Sequence, residues 1–390
     1  MTAPRPQVRS NLVVATRQIG DVLLTTPMIR EARALWPEAA IDVLGFPGTL
    51  GMLKGNPDVR RLIETPPGSG GRSALRLATE RGLWRAYDLA LVTQPNDRAH
   101  FYGFVAARLR AGLIGPKPGT TWWKRLLLKH AVVIAGDAGR LHAAEDNLWL
   151  LEPWRHAPSD AEGASPTVSG AALATPPLAP DPPAITVVPP PAAPLPADID
   201  ALLAAMPVVV HVPVMWRYKA WPVESFRELI ATLVADGHQV VLTGGPSAND
   251  RRAVAEMAQI APPPRVLDVC GRLDFGQLAT LLGRSALYIG TDTSVTHLAA
   301  ACSVPTIALF GPTNPMRWGP LDAALPIDRR YAMQSDAPQR RGRVILMQGP
   351  GACVPCAGRG CEGHDESHSA CLDALAPAQV IAEARAVLRR

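Results

Sequence analysis

Four short stretches of the chain combine residue types that could move protons, hold anions or bind a metal. The first is "TRQIGDVLLTTP", where Gly20 and Asp21 sit between two apolar segments. Gly20 can take backbone angles closed to other residues and lets a ligand approach the chain, and Asp21 offers a carboxylate that can accept a proton. The same aspartate could instead only cap the helix that follows, by accepting from free backbone N–H groups. The second is "LYIGTDTSVTHLAA", where Gly290 ends an apolar run and Asp292, Thr293 and Ser294 open a helix. Free N–H groups and the helix dipole at such a start attract phosphate; capping by Asp292 or Thr293 is the plainer alternative, and His297 could simply pack in the helix. The third is "MWRYKAWP". Here Lys219 could meet a diphosphate as a point charge and Arg217 as a two-pronged donor, or both could be solvated. Apart from the four, the turn Gly244-Gly245 in "LTGGPSAND" would bring Asn249 or Asp250 near a ribose or base.

The fourth stretch is cysteine-rich. Cys353, Cys356, Cys361 and Cys371 have the form C-x2-C-x4-C-x9-C, with His364 and His368 in the last gap. Such a set suits a structural Zn or Fe, since four thiolates leave no open position for catalysis, and free thiols are the alternative. Cys270 and Cys302 lie in apolar contexts and read as core residues.

These stretches need elements to carry them. "NLVVAT" reads as a strand, "DVLLTTPMIREARALWP" as a helix ending at Pro37, and "AIDVLGF" and "YDLALVTQ" as further strands, an order that builds a parallel sheet. "RLHAAEDNLWLLEPW", 140–154, reads as a helix closing the first half. From Pro158 to about Asp198 the chain turns to Ala, Pro, Gly and Ser, with one apolar island, "AITVVP", suited to an edge strand. The alternation then restarts with "PVVVHVP", "HQVVLTGG", "RVLDVCG", "ALYIGTD" and "PTIALFG" as strands separated by helical segments. The expectation is α/β, with two facing doubly wound, Rossmann-like domains and an interdomain cleft at the carboxyl ends of the strands. The boundaries are 1–157, a Pro/Ala-rich connection 158–200, 201–350, and a Cys-rich segment with a C-terminal helix, 351–390. The first corner lacks both GxGxxG and GxxxxGK[ST], so it is neither a dinucleotide fingerprint nor a P-loop.

The composition of the 390 residues, 47% hydrophobic and 19% charged, fits folded cores and excludes general disorder. No apolar run reaches the roughly 18 to 20 residues that span a bilayer, and the N-terminus has no signal cleavage pattern, so a cytoplasmic location is expected. The formal net charge is +5, and nucleic acid is not an expected partner. Basic residues cluster in "WWKRLLLKH", 122–130, which could face an anionic membrane or an acidic ligand, or be an ordinary amphipathic helix.

Taken in order, "IGDVLLTTPMIREARALWPEAAIDVL", "GNPDV", "HAAEDNLWLL", "KAWPVESFRELIATL", "VVLTGGP", "IGTDTSVTHLAAACSVPTIALFGPTNPMRWGP" and the late "CVPC" and "CL" resemble glycosyltransferase family 9, the bacterial lipopolysaccharide heptosyltransferases. The resemblance implies a GT-B fold and inverting transfer of heptose from an ADP-sugar donor to a lipid-linked saccharide acceptor, without a catalytic cofactor, at the inner-membrane surface. It implies Asp21 as general base, with Gly20, Arg17 and Thr25 on the acceptor side. Lys219, Arg217, Gly244, Gly245, Asp292, Thr293, Ser294 and His297 fall on the donor side. Ser294 stands where the family usually has glycine, and "PVMWRY" lacks the small hydroxyl residues often found beside the phosphates. Open alternatives are a nucleotide-sugar epimerase or hydrolase of the same fold, a transferase of another sugar or to a protein, and a non-catalytic metal-binding partner subunit.

Overall fold

A computed structural model describes residues 6–66, 74–134, 136–155, 185–323 and 331–389. The chain divides into two compact units, Met1–Val188 and Pro189–Arg390. The greater part of the Pro/Ala-rich connection, 158–184, lies outside the described residues.

The first unit holds a six-stranded sheet made of β1 (Ser10–Val14), β2 (Ala40–Gly45), β3 (Arg61–Glu64), β4 (Tyr87–Val92), β5 (Ala107–Ile114) and β6 (His130–Val133). Its order is β3-β2-β1-β4-β5-β6 and all its pairings are parallel. From β1 the chain winds outward through β2 and β3, and from β4 it winds the other way. The order therefore reverses between β1 and β4, and a crevice opens beyond the carboxyl ends of strands at such a switch point. Leu12, Val14, Ala90 and Val92 face one core with Tyr102 and Val105, which explains why these strands read as continuous apolar runs: parallel strands are covered on both faces. One charge is sunk in this sheet. Asp42, on β2, is fully buried and accepts from Arg60 at 2.6 Å, Arg61 at 3.0 Å and the Tyr87 hydroxyl at 2.6 Å. Burial alone would raise its carboxyl, yet the arginines and Tyr87 outweigh it and hold it below 3.8.

The second unit holds β7 (Val208–His211), β8 (Val240–Thr243), β9 (Val266–Asp268), β10 (Leu287–Thr291), β11 (Thr306–Phe310), β12 (Gln339–Arg341) and β13 (Val344–Gln348). The order is β12-β13-β11-β10-β7-β8-β9, parallel except for the edge strand β12. Its winding reverses between β7 and β10. Val208, Val210, Leu242, Ile289 and Leu309 share a core with Trp221 and Phe226, whose rings meet edge to face at 4.9 Å. Burying each such side chain contributes about 1.5 to 3 kcal/mol.

Three sequence expectations change. The helix expected from Asp21 to Pro37 is two helices, α1 (Ile19–Leu23) and α2 (Thr26–Leu35). The break has a local cause: the Thr25 and Thr26 hydroxyls donate back to Val22 O and Leu23 O at 2.7 and 2.8 Å, and Pro27 has no N–H to continue the ladder. The island "AITVVP" forms no strand where it is described. Ile185 and Val187 are buried instead, and Val188 N donates to Thr26 Oγ1 at 2.9 Å. The helix expected over 140–154 is Ala143–Trp149 followed by a short turn Glu152–Arg155, because His142 and Glu145 form a capping box at its start.

Candidate functional site

Each unit places one of the chemical stretches at its switch point. In the first, β1 delivers the chain into α1, and Asp21 is the third residue of that helix. The N-cap position belongs to Gln18, whose side chain makes no capping bond, and Asp21 is the acid of the first turn, where a carboxylate also meets the positive end of the helix dipole. Arg17 Nη1 lies 3.4 Å from Asp21 Oδ1, with the arginine side chain 43% exposed and the aspartate 17%. Gly20 is helical, so a left-handed backbone is not its reason for being glycine. Thr25 is buried with its hydroxyl committed to Val22 O, which makes it a helix-joint residue. A residue not singled out from the sequence, Thr16, is buried beside this corner, and its hydroxyl has no hydrogen-bond partner.

In the second unit, the turn Arg217–Lys219 follows β7, and Asp292 follows the adjacent strand β10. Lys219 Nζ donates to Asp292 Oδ2 at 2.6 Å and lies 5.3 Å from the Trp216 ring centroid. His297 Nε2 lies 3.9 Å from Asp292 Oδ1. Asp292 is buried, which by itself raises its carboxyl, but Lys219, His297 and a hydrogen bond from Thr313 hold it below 3.8, so it is ionised at neutral pH. Burial pushes the His297 imidazole down to about 4 against the pull of Asp292, so the ring is neutral. Its Nδ1 and the Thr291 hydroxyl are buried without a hydrogen-bond partner. The helix Ser294–Ala301 starts here, with Thr293 at its N-cap and no side chain capping it.

The sequence grouped more residues with this site than the structure does. Lys219, Asp292, Thr293, Ser294 and His297 come together. Arg217 is exposed on the outside of its turn. Gly244 and Gly245 follow β8 and are closely packed: a Cβ would lie 2.6 Å from Cys270 Sγ at Gly244 and 2.7 Å from Asp250 Oδ2 at Gly245. Gly245 N already donates to Asp250 at 2.7 Å, and Ser247 holds the other carboxylate oxygen, so Asp250 serves the turn. Thr313 was missed individually, although its loop, "FGPTNP", carried the Gly and Pro signal of a shaped turn.

The cysteine segment braces this site. Arg217 N donates to Asp365 O at 3.0 Å, Ser369 Oγ to Tyr218 O at 2.7 Å, and Ala357 N to Pro312 O at 2.8 Å. It therefore holds both the turn that carries Lys219 and the loop that carries Thr313. Leu372 fills the space above Gly311, where a Cβ would lie 2.6 Å from its Cγ, and a Cβ on Gly349 would collide with the backbone carbonyl of Cys371. Cys353, Cys356 and Cys361 are exposed, Cys371 is buried with its thiol pushed up to about 11, and all four are free. Among the described residues no group of three or more His, Cys, Asp or Glu is placed to hold a metal ion. Cys356 and Cys361 lie near enough to Cys371 to add to the rise of its thiol.

Two doubly wound parallel sheets, with an ionised pair and an uncapped helix start at the switch point of the second, define the GT-B class of glycosyltransferase fold. The structure of a family 9 glycosyl transferase from Veillonella parvula matches with a TM-score of 0.68 over 99% of both chains at 18% identity. That of Escherichia coli ADP-heptose lps heptosyltransferase II matches with a TM-score of 0.64 over 97% of this chain and 98% of the other, at 20% identity. In sequence, residues 195–344 match the profile of Glycosyltransferase family 9 (heptosyltransferase). Lipopolysaccharide heptosyltransferase 3 of Escherichia coli K12 is 30% identical over 312 residues, 78% of this chain and 83% of the relative. The chain belongs to glycosyltransferase family 9. No helix among the described residues is long and apolar enough to cross a membrane.

Proposed function

We propose that the protein transfers a heptosyl group from an ADP-activated donor to a hydroxyl of a lipid-linked lipopolysaccharide-core saccharide, with inversion at the anomeric carbon. The observation that carries the donor half is the buried Lys219–Asp292 pair beside the uncapped start of the helix Ser294–Ala301. An ammonium has three N–H donors, and Asp292 uses one while fixing the group's position. The ammonium charge and the N–H groups of the helix start suit the diphosphate that leaves with the bonding electron pair. Neutral His297, and the unpartnered Thr291 hydroxyl beside it, offer polar atoms for sugar or ribose hydroxyls.

The acceptor half is assigned to the first unit. Asp21 takes the proton of the acceptor hydroxyl as its oxygen bonds to the anomeric carbon and the bond from that carbon to the diphosphate oxygen breaks. An inverting displacement needs such a carboxylate on the acceptor's face of the sugar, as inverting glycosidases do. Arg17 holds one Asp21 oxygen at 3.4 Å and so limits the rotamers of the carboxylate. The identity of the donor as an ADP-sugar, and of the acceptor as core saccharide, follows the functions named for the relatives.

A thermal-shift panel of ADP, UDP, GDP and dTDP tests the donor assignment. A ligand at 100 times its Kd stabilises the native state by about 2.7 kcal/mol, about 5 to 10 °C for a domain of this size. ADP is expected to give that shift and the other diphosphates much less. Equal shifts for all four, or none for ADP, would remove the adenine nucleotide from the proposal.

A further inference from the structure

Tyr288 and Gly290 stand two residues apart on β10 and therefore on one face of the strand. The tyrosine ring lies along that face toward the carboxyl end, in space that Gly290 leaves by having no side chain: a Cβ there would collide with the Tyr288 hydroxyl. Tyr288 is fully buried. Its hydroxyl reaches the corner between β10 and the helix Ser294–Ala301, where it lies 2.9 Å from Thr296 Oγ1. A phenylalanine would fill the same space, so what the hydroxyl adds is this bond.

Three hydroxyls meet at this corner, and counting their protons assigns the bonds. Thr296 has one hydroxyl proton and donates it to the Thr291 carbonyl. Toward Tyr288, and toward the Thr293 hydroxyl at 3.2 Å, its oxygen can therefore only accept. Tyr288 and Thr293 are the donors, and the buried Thr296 oxygen is saturated, with one bond given and two accepted. This fixes the helix start. Thr293 holds the N-cap position with the extended backbone of a capping residue, φ −133° and ψ 168°. A threonine there ordinarily accepts from an N–H group of the first turn, yet the Thr293 side chain makes no such bond. Its hydroxyl is turned inward to Thr296, away from the N–H groups of Val295 and Thr296 that a cap would take.

We propose that Tyr288 and Thr296 are positioning residues of the donor site, which hold the Thr293 hydroxyl inward and so keep it off the helix start that receives the donor diphosphate. The inference rests on the donor reading given above. It accounts for a threonine at the N-cap that does not compete with an anion for the same N–H groups. The same bonds bracket Asp292: Thr296 holds the carbonyl of Thr291 before it and the hydroxyl of Thr293 after it. The residue that pairs with Lys219 is thus fixed from both sides.

Calorimetric titration of ADP into the full-length protein, with thermal melts of each variant, tests this. Tyr288→Phe with Thr296→Val keeps both shapes and removes both hydroxyls, which releases Thr293 to cap its own helix; ADP is expected to bind ~10-fold more weakly. Thr296→Ser keeps the oxygen and is expected to bind ADP as the wild type does. In a Thr293→Val background there is no hydroxyl to release, and the same double substitution is expected to change ADP affinity by less than ~2-fold. Thr293→Asn leaves the buried pair untouched and caps well, so it is expected to bind ADP ~10-fold more weakly than Thr293→Val, with no fall in melting temperature. Wild-type ADP affinity in the double variant, a loss of the same size in Thr296→Ser, a loss that persists in the Thr293→Val background, or equal affinity of Thr293→Asn and Thr293→Val would each overturn the proposal alone. Failure of the wild type to bind ADP would overturn the donor reading and this inference with it, so the two failures are told apart.

Discussion

Asp21→Asn is expected to lower heptosyl transfer at least ~100-fold while leaving the Kd for ADP unchanged. The amide keeps the size and hydrogen-bonding reach of the carboxylate but cannot take a proton. Loss of a positioned base typically costs 10²- to 10⁴-fold, about 3 to 5 kcal/mol of transition-state stabilisation. The N-cap of α1 is Gln18, and the ion pair with Arg17 is long and has a half-exposed arginine, so its loss costs stability about 0 to 1 kcal/mol. A fall in transfer with an unchanged melting temperature and ADP affinity would therefore locate the effect in the chemical step. Wild-type rates in the variant would remove Asp21 as the base.

Lys219→Ala is expected to have two separable effects. On the proposed donor role it removes a charge-assisted contact to the diphosphate, weakening ADP binding by about 1 to 3 kcal/mol, roughly 5- to 150-fold. It also strands Asp292, which is buried and whose carboxyl burial would drive upward once the ammonium is gone. Breaking a buried pair from one side typically costs about 3 to 5 kcal/mol. The double variant Lys219→Met with Asp292→Asn removes both charges, so it is expected to recover most of the melting temperature lost by Lys219→Ala and little of the ADP affinity. Calorimetric titration of ADP and thermal melts of both variants check this. An unchanged ADP Kd in Lys219→Ala would take Lys219 out of the donor site.

Much of the architecture could be read because parallel strands covered on both faces leave unbroken apolar runs, as in "PVVVHVP" and "ALYIGTD". Of the strands that escaped notice, β13, "VILMQ", carries that mark, while β5 and β6 lack it. β5 is "ARLRAGLI", with arginines at its exposed start, and β6 has four residues at the sheet edge. The break between α1 and α2 was hidden because it depends on threonine hydroxyls turning back on their own helix, while the apolar spacing runs on across it. Residues 185–188 failed in the opposite direction: their β-branched pattern is that of a strand, but their partners are core side chains and the Thr26 hydroxyl rather than a ladder.

The site was legible in kind more than in detail. Asp292 and Lys219 were marked by residue type and by position after strands, but that they form a pair follows from β7 and β10 being neighbours, which no local pattern states. Gly244 and Gly245 were read as a ligand turn, and close packing against Cys270 and Asp250 favours the same residue there. The cysteine spacing marked a cluster, but not that its segment would pack on Gly311, Gly349 and the Lys219 turn, which depends on contacts distant in sequence.

The most direct test of the account is the release of ADP from ADP-heptose, followed with and without a lipid-linked core acceptor. Turnover is predicted only when the acceptor is present, with ADP and extended acceptor formed in equal amounts. ADP released at the same rate without acceptor would contradict it and point to a hydrolase or epimerase on the same fold.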